Sequence, residues 1–326
     1  MRVIRNLLEL REPLHSSAVT IGNFDGVHLA HRRLLQRVVR SARETGGNAV
    51  VITFDPHPAK ILAPERVPAA LTPLETKMAL IEKERADVLF VLRFNKELAC
   101  LSPAEFVQRI LVEKLGAVVV HVGSNFRFGH RRAGDTQTLL ELGKQSGFRV
   151  ETLPMIEIRG EQVSSSRIRQ LVAEGRVGIA GRMLGRPSSV AGPIVAGEGV
   201  GRKQTVPTLN MGPVEQQLPK DGVYVTRTRL GDKLHQSVTN VGRKPTFGTH
   251  PVTVESYLLD FSGKVEACNM EVKFLYRLRD EIKFPNPEAL KKQIQNDVRR
   301  ALKFFRLLKT LEGRKSHPTA STSTRA

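Results

Sequence analysis

The sequence predicts an N-terminal α/β domain on a parallel sheet, followed by a small antiparallel β-barrel domain with a C-terminal helix. Three observations predict it. Short apolar runs alternate with helix-like segments through the first half; near Gly185 the text becomes glycine-punctuated β sequence without helical stretches; and Asn286-Pro287 opens a long amphipathic segment. A chain of 326 residues suits about two domains, here expected at residues 1–184 and 185–312. Residues 313–326, ending in SHPTASTSTRA, read as a disordered polar tail.

Strands are expected at Ala18–Asn23, Asn48–Phe54, Asp87–Phe94, Ala117–Gly123 and Phe148–Pro154, with a helix over His28–Thr45 that stops near Gly46 and Gly47. Thr72-Pro73-Leu74-Glu75 and Ser102-Pro103-Ala104-Glu105 both spell a capping box with proline at the first helical position. Alternating strand and helix implies a parallel sheet, whose ligands sit beyond the carboxyl ends of the strands. After the short segment GRPSSVAG come GVYVTRTRL, HQSVTNVG, HPVTVESYLLDF and MEVKFLYRLR, the strands of a small barrel or sandwich. In the final helix Leu290, Ile294, Val298, Leu302 and Phe305 form one stripe to lay against it.

Composition narrows the classes. With 40% hydrophobic and 25% charged residues the chain reads as globular. Its longest apolar runs, such as Ala117–Val122, suit buried strands and are too short to cross a bilayer, so no membrane partner is expected. The N-terminus MRVIRNLLELREPL spreads charges among its apolar residues and has no small-residue cleavage site, which argues against a signal peptide and for the cytoplasm. Cys100 and Cys268, far apart and without metal-ligand spacing, read as packing residues. A formal charge of +19 attracts polyanions, yet the basic residues are scattered and aromatics are only 5%, without tryptophan. A polyphosphate nucleotide fits this surface as well as nucleic acid, and no pattern singles out an oligomer interface.

The most informative segment is GNFDGVHLAH, Gly22–His31. It follows a strand and opens a helix, so backbone N–H groups and the helix dipole face the place where a phosphate binds. Gly22, Asn23, Phe24, Asp25 and Gly26 form the turn; His28 and His31, at i and i+3, share one helical face. Taken alone, such a pair is more often a surface feature or a metal pair than a catalytic dyad. Zinc is disfavoured for want of further ligands at usual spacing, although His57 and His121 fall nearby in the expected sheet. VSSSRIRQL places Ser164, Ser165, Ser166 and Arg167 at a helix start, as phosphate ligands or as an ordinary serine cap. In GSNFRFGHRRAGD, directly after a strand, Asn125 and Arg127 are placed to hold a second substrate.

In the second half, GPIVAGEGVGRKQTVPTLNM carries Gly197, Gly199 and Gly201 in a loop suited to phosphates, without the arrangement of a P-loop. Thr208 and Asn210, two apart, project to the same side if extended and offer oxygens to Mg²⁺ or phosphate. Glu255 interrupts a β-rich run, either as a solvent-facing strand residue or as a base.

GNFDGVHLAH resembles the two-histidine signature of the nucleotidyltransferase superfamily, with Ala30 where glycine is usual, and SSSRIR resembles its second phosphate-binding signature, with Ser166 where threonine is common. With NFRFG they resemble the FAD-forming module of prokaryotic bifunctional riboflavin kinase/FAD synthetases; PTLN, NVGRKPTFG and VESYLLDF, in that order, resemble the kinase barrel, with Thr205 for a usual glycine. The resemblance runs from about Val19 to the final helix. It implies a Rossmann-like nucleotidyltransferase domain joining FMN to AMP from ATP to give FAD, and a barrel making FMN from riboflavin and ATP, both with Mg²⁺. It implies roles for His28 and His31 at the α-phosphate, for Thr208 and Asn210 with Mg-ATP, and for Glu255 as general base. The rival readings are a nucleotidyltransferase for another phosphate ester and a non-catalytic RNA-binding protein.

Overall fold

The computed structural model describes residues 1–5, 9–10, 12–195, 208–243, 252–259, 261 and 265–315. The polar tail from 316 onward and the loop containing Gly197, Gly199 and Gly201 lie outside the described residues. The chain forms two compact units, one of residues 1–169 and 183–185, the other of 170–182 and 186–326.

The first unit holds a six-stranded sheet in the order β1-β4-β3-β2-β5-β6, parallel throughout. Its strands are β1 (Arg2–Ile4), β2 (Ser17–Ile21), β3 (Ala49–Asp55), β4 (Val88–Arg93), β5 (Ala117–Gly123) and β6 (Arg149–Leu153). β1, only three residues long, is the strand that the sequence pattern leaves out. A two-stranded ribbon, β7 (Glu157–Ile158) with β8 (Glu161–Gln162), follows. The helices are α1 (Leu29–Thr45), α2 (Ala59–Leu62), α3 (Leu74–Lys83), α4 (Lys96–Cys100), α5 (Pro103–Phe106), α6 (Thr136–Ser146), α7 (Ser165–Ala173) and α8 (Val177–Leu184); α7 and α8 each span both groups of residues.

Because β2 to β5 are apolar on both faces, helices cover both. Val50 and Ile52 pack with Phe106, Ile110, Leu111 and Leu139 on one side. Val51, Leu89 and Val91 pack with Leu34, Leu35 and Ile81 on the other. β2 leads to β3 on one side and is flanked by β5 on the other, so the strand order reverses beside β2 and opens a crevice at its carboxyl end.

The two expected capping boxes part company. At Ser102 the box is complete, with Ser102 Oγ accepting from Glu105 N and the Glu105 carboxylate accepting from Ser102 N at 2.9 Å. At Thr72 there is none: α3 begins at Leu74 after Pro73, and the Thr72 hydroxyl accepts instead from Gly26 N at 3.1 Å. A tertiary bond has taken the capping oxygen. The cysteines also depart from expectation, both being exposed and free, so neither is a packing residue.

The second unit is a closed antiparallel barrel, β10-β13-β12-β11-β14-β9. Its strands are β9 (Ser188–Val195), β10 (Leu209–Met211), β11 (Gly222–Leu230), β12 (Lys233–Arg243), β13 (Val252–Leu258) and β14 (Asn269–Arg279). The GRPSSVAG text read as a connection thus supplies most of β9. Inside the barrel Tyr224, Val241, Val254, Val272 and Phe274 make an apolar cluster. At another level five buried hydroxyls replace it: Thr226 bonds Ser237 (2.8 Å) and Thr239 (2.7 Å), Thr228 bonds Ser237 (2.8 Å), and Thr239 bonds Ser256 (2.6 Å).

Helix α9 (Pro287–Lys315) is capped by Asn286 Oδ1, which accepts from Ala289 N at 2.9 Å. Its inner face differs from the expected stripe. Ala301 and Phe305 are buried against Val223, Val225, Val238 and Leu278, with Phe304 and Leu308 beside them, whereas Leu290, Ile294, Val298 and Leu302 are only half-buried. The reason is Asp297, 2% exposed, which the pattern reads as polar surface and which instead pairs with Arg279 Nη2 at 2.8 Å and accepts from Gln293 at 2.9 Å. Asp297→Ala leaves that guanidinium nearly buried without its counter-charge, and a loss of about 3 kcal/mol is expected in denaturant melts. Adding Arg279→Met should return much of it.

Candidate active sites

Two stretches that are distant in sequence meet at the carboxyl end of β2. The turn after this strand enters the left-handed region at Phe24 (φ 48°), Gly26 (φ 84°) and Val27 (φ 39°). For Phe24 and Val27 that backbone is strained and must be held from outside. The φ of Gly26 favours glycine, and a Cβ there would also crowd Leu71 Cδ1 at 3.0 Å and Leu184 Cδ2 at 3.2 Å.

What holds the turn is Asp25, 5% exposed. Its carboxylate accepts from the backbone of Leu71 (3.0 Å) and Thr72 (3.1 Å) and forms an ion pair with Arg169 Nη2 at 2.7 Å. Its carbonyl accepts from Ser165 Oγ at 2.8 Å. Asp25 is therefore a clamp between the turn, the start of α3 and the start of α7. Arg169 also donates to Ala69 O at 2.9 Å, so the cation cannot swing away without losing two acceptors. The pairing of Arg169 and Thr72 with Asp25 escapes the sequence reading, which has Thr72 as a helix cap and Arg169 only within SSSRIR, since nothing local points to a partner 144 or 47 residues away.

His28 is the N-cap of α1, its Nδ1 accepting from His31 N at 3.4 Å. That bond leaves the proton of the neutral ring on Nε2. The His28 and His31 rings stack at 3.6 Å with 16° between planes, and the Phe24 ring meets His31 edge-on at 5.1 Å. Burial, the facing His28 and the charge of Lys77 hold the His31 pKa well below its ordinary value, so the ring is neutral at neutral pH. Its Nδ1 is buried and has no hydrogen-bond partner among the described residues. The first turn of α1 contains no acidic residue to quench the helix dipole.

Around this pair, the Asn23 amide lies 3.3 Å from His57 Nε2, and His57 Nδ1 accepts from Ala59 N at 3.2 Å. His57 is part of the site, and burial lowers its pKa too. His121 is not: fully buried in β5, its Nε2 lies 2.9 Å from Ser41 Oγ, about 15 Å along α1 from His31. Gly22 donates to Ile52 O and so extends the sheet pairing into the turn.

The α7 start divides its duties. Ser164 Oγ accepts from Arg167 N as the helix cap at 3.2 Å, Ser165 is spent on Asp25, and Ser166 is exposed. Arg167 donates through Nε to Glu161 at 2.7 Å. In the loop after β5, Asn125 and Arg127 are exposed; Phe128 anchors the loop in the core, stacked on Phe126, and Arg127 pairs with Asp135 at 3.1 Å. This loop leaves the strand next to β2, on the same edge as the histidines.

In the barrel, the register puts Asn210 of β10 and Asn240 of β12 on either side of Glu255 of β13. The neighbours Val254 and Ser256 are buried inside, so this row lies on the outer face. Thr208, two before Asn210, is exposed. Asn240 donates to Glu281 at 3.3 Å and is a member of the row that the sequence reading did not single out.

Two tests follow from the clamp and the rings. Asp25→Ala strands Arg169 and frees a strained turn, so the first unit should lose about 3–5 kcal/mol in denaturant melts. Burial lowers the pKa of His31, His57 and His121 below 6.5. The unfolded chain then takes up protons that the folded chain resists, so stability falls as pH drops from about 6.5 toward the lowered folded values. Melting temperatures across that window should show the loss, and His31→Asn should reduce it.

Two family models match the chain, that of FAD synthetase over residues 10–167 and that of riboflavin kinase over residues 184–305. The bifunctional riboflavin kinase/FMN adenylyltransferase of Pseudomonas fluorescens is 38% identical, over 91% of this chain and 96% of that protein. Its namesake from Escherichia coli strain K12 is 33% identical, over 95% and 99%. The crystal structure of a macrolide-efflux protein from Streptococcus pneumoniae aligns with a TM-score of 0.80 at 27% identity, covering 90% of this chain and 96% of that one. Among the described residues no helix is long and apolar enough to cross a membrane. With both models matched in this order and relatives alike along nearly their whole length, the chain belongs to the bifunctional riboflavin kinase/FMN adenylyltransferase family.

Proposed function

We propose that the barrel phosphorylates riboflavin with ATP and that the first unit joins the resulting FMN to AMP from a second ATP, each on the residues named above. The observation that carries the adenylyl transfer is the stacked His28–His31 pair at the start of α1, tied through Asp25 to the start of α7. An FMN phosphate oxygen attacks the α-phosphorus of ATP; that P–O bond forms as the bond to the β-phosphate breaks, and pyrophosphate leaves. No covalent enzyme intermediate is needed, because the reaction asks chiefly for alignment and for neutralised oxygen charge.

His28 donates from Nε2 to an α-phosphate oxygen, and neutral His31 stands beside it with its own ring nitrogen to offer. Gly22, Asn23, Phe24, Asp25 and Gly26 shape the nucleotide's seat, with Asp25 acting by position, since its own oxygens are already taken. Ser164, Ser165, Ser166 and Arg167 border the leaving pyrophosphate, and Asn125 and Arg127 receive FMN. The reversal of strand order beside β2 supports this placement, because parallel α/β sheets bind ligands there.

In the barrel, Glu255 takes the proton of the riboflavin 5′-hydroxyl as the γ-phosphoryl group moves to it. Thr208 and Asn210, hard oxygen donors beside that carboxylate, would hold Mg²⁺, as their chemistry suits. When bound, the ion neutralises polyphosphate charge. Gly197, Gly199 and Gly201 belong to the loop assigned to the ATP phosphates. Two free, exposed cysteines suit a reducing compartment and support assignment to the cytoplasm.

Incubation with riboflavin, ATP and Mg²⁺, followed by chromatography of the flavins, should give FMN and then FAD. His28→Ala should cut FAD formation by about 10²-fold or more while FMN still accumulates. Glu255→Ala should do the reverse, losing about 10²–10⁴ in FMN formation yet adenylylating supplied FMN. Loss of both activities in each variant would contradict separate sites.

A further inference from the structure

Lys77 lies on α3, one turn before Ile81, and these are the two buried residues of that helix. The residue is 8% exposed, its ammonium makes no hydrogen bond or ion pair with another described residue, and Nζ at the tip is open to water. The surroundings are charged all the same. Lys77 acts electrostatically on His31 and His57, and is itself acted on by Asp25 and by Asp55, the last residue of β3. Asp25 already has its cation in Arg169, and Asp55 is exposed to water. Neither carboxylate bonds the ammonium.

A cation whose stem is buried and whose tip reaches water without bonding a carboxylate is placed to receive an anionic ligand. The position of this one is fixed by the same clamp that shapes the turn, since Asp25 binds the backbone of Leu71 and Thr72 just before α3 begins. We propose that Lys77 is a phosphate-binding residue of the adenylyl-transfer site, its ammonium meeting the polyphosphate of ATP beside His31 and remaining with the pyrophosphate as it leaves. This rests on the adenylyltransferase reading above. Burial already disfavours the charged form, so a polyanion arriving next to Lys77 recovers that cost, and the charged ammonium is selective for an anion over a neutral ligand.

The test compares Lys77→Met, which keeps the buried stem and removes the charge, with Lys77→Arg, which keeps the charge, both in the full chain. The probe is inorganic pyrophosphate with Mg²⁺, read by calorimetry and as product inhibition of FAD formation from FMN. Lys77→Met should weaken pyrophosphate binding, and raise the ATP KM of FAD formation, by about tenfold to a hundredfold. Lys77→Arg should keep most of both, and FMN formation from riboflavin should be unchanged in either variant. Lys77→Met should also melt no lower than wild type, because a partly desolvated charge without a bonded carboxylate has been replaced by an apolar group of similar length. A drop in melting temperature with pyrophosphate binding within about twofold of wild type would make Lys77 a structural counter-ion and overturn the proposal. Wild-type protein that binds no pyrophosphate would overturn it as well, whereas pyrophosphate binding without FAD formation would sink the adenylyltransferase reading and leave the Lys77 assignment standing.

Discussion

The buried carboxylate of Asp25 is the constraint on which the first unit's chemistry depends. A turn that places Phe24 and Val27 in left-handed backbone does not persist on local preference. It persists here because one side chain binds the backbone entering α3 and a guanidinium from α7. The strain is thus met by long-range bonds, and the helix that follows starts where His28 can cap it. Remove the carboxylate, and the cap, the stacked rings and the backbone of the turn lose their common reference.

The electrostatics of the site follow from that arrangement. Two imidazoles at 3.6 Å cannot both carry charge at little cost, and burial together with Lys77 pushes His31 toward the neutral form. Neutral rings are directional hydrogen-bond donors rather than point charges, which suits a reaction in which oxygen charge shifts without a net proton transfer to the protein. Full cations are left to Arg169, which is held on Asp25, and to Lys77. Many of the remaining basic residues lie elsewhere, such as the exposed Arg33, Arg37 and Arg40 on the outer face of α1, which helps explain why the +19 composition says little about the site.

Sequence reading reached the parallel sheet, the barrel and the histidine pair because each is written locally, in strand periodicity or in a strand-turn-helix spacing. It failed where meaning is tertiary. The Thr72 box looked complete in four letters, but its hydroxyl serves Gly26. The α9 stripe was read one face away because Asp297, an acid in the sequence, is a core residue in the fold through Arg279. β9 was passed over because proline and glycine punctuate it, and β1 because three residues carry no period. His57, Lys77 and Asn240 have ordinary neighbours in the chain, and Arg169 closes the SSSRIR segment without any local sign that its partner is Asp25; only folding brings them beside residues that give them work.

The position of Arg169 bears on how this protein can be cut. The FAD synthetase match ends at residue 167, two short of the guanidinium that neutralises Asp25. A fragment trimmed to that boundary would retain both histidines and all three serines, and would still lack the cation that seats them. Recombinant dissection of the first unit therefore has to run past Arg169, because a match boundary read as a domain edge would yield a piece whose buried Asp25 carboxylate has lost its counter-ion.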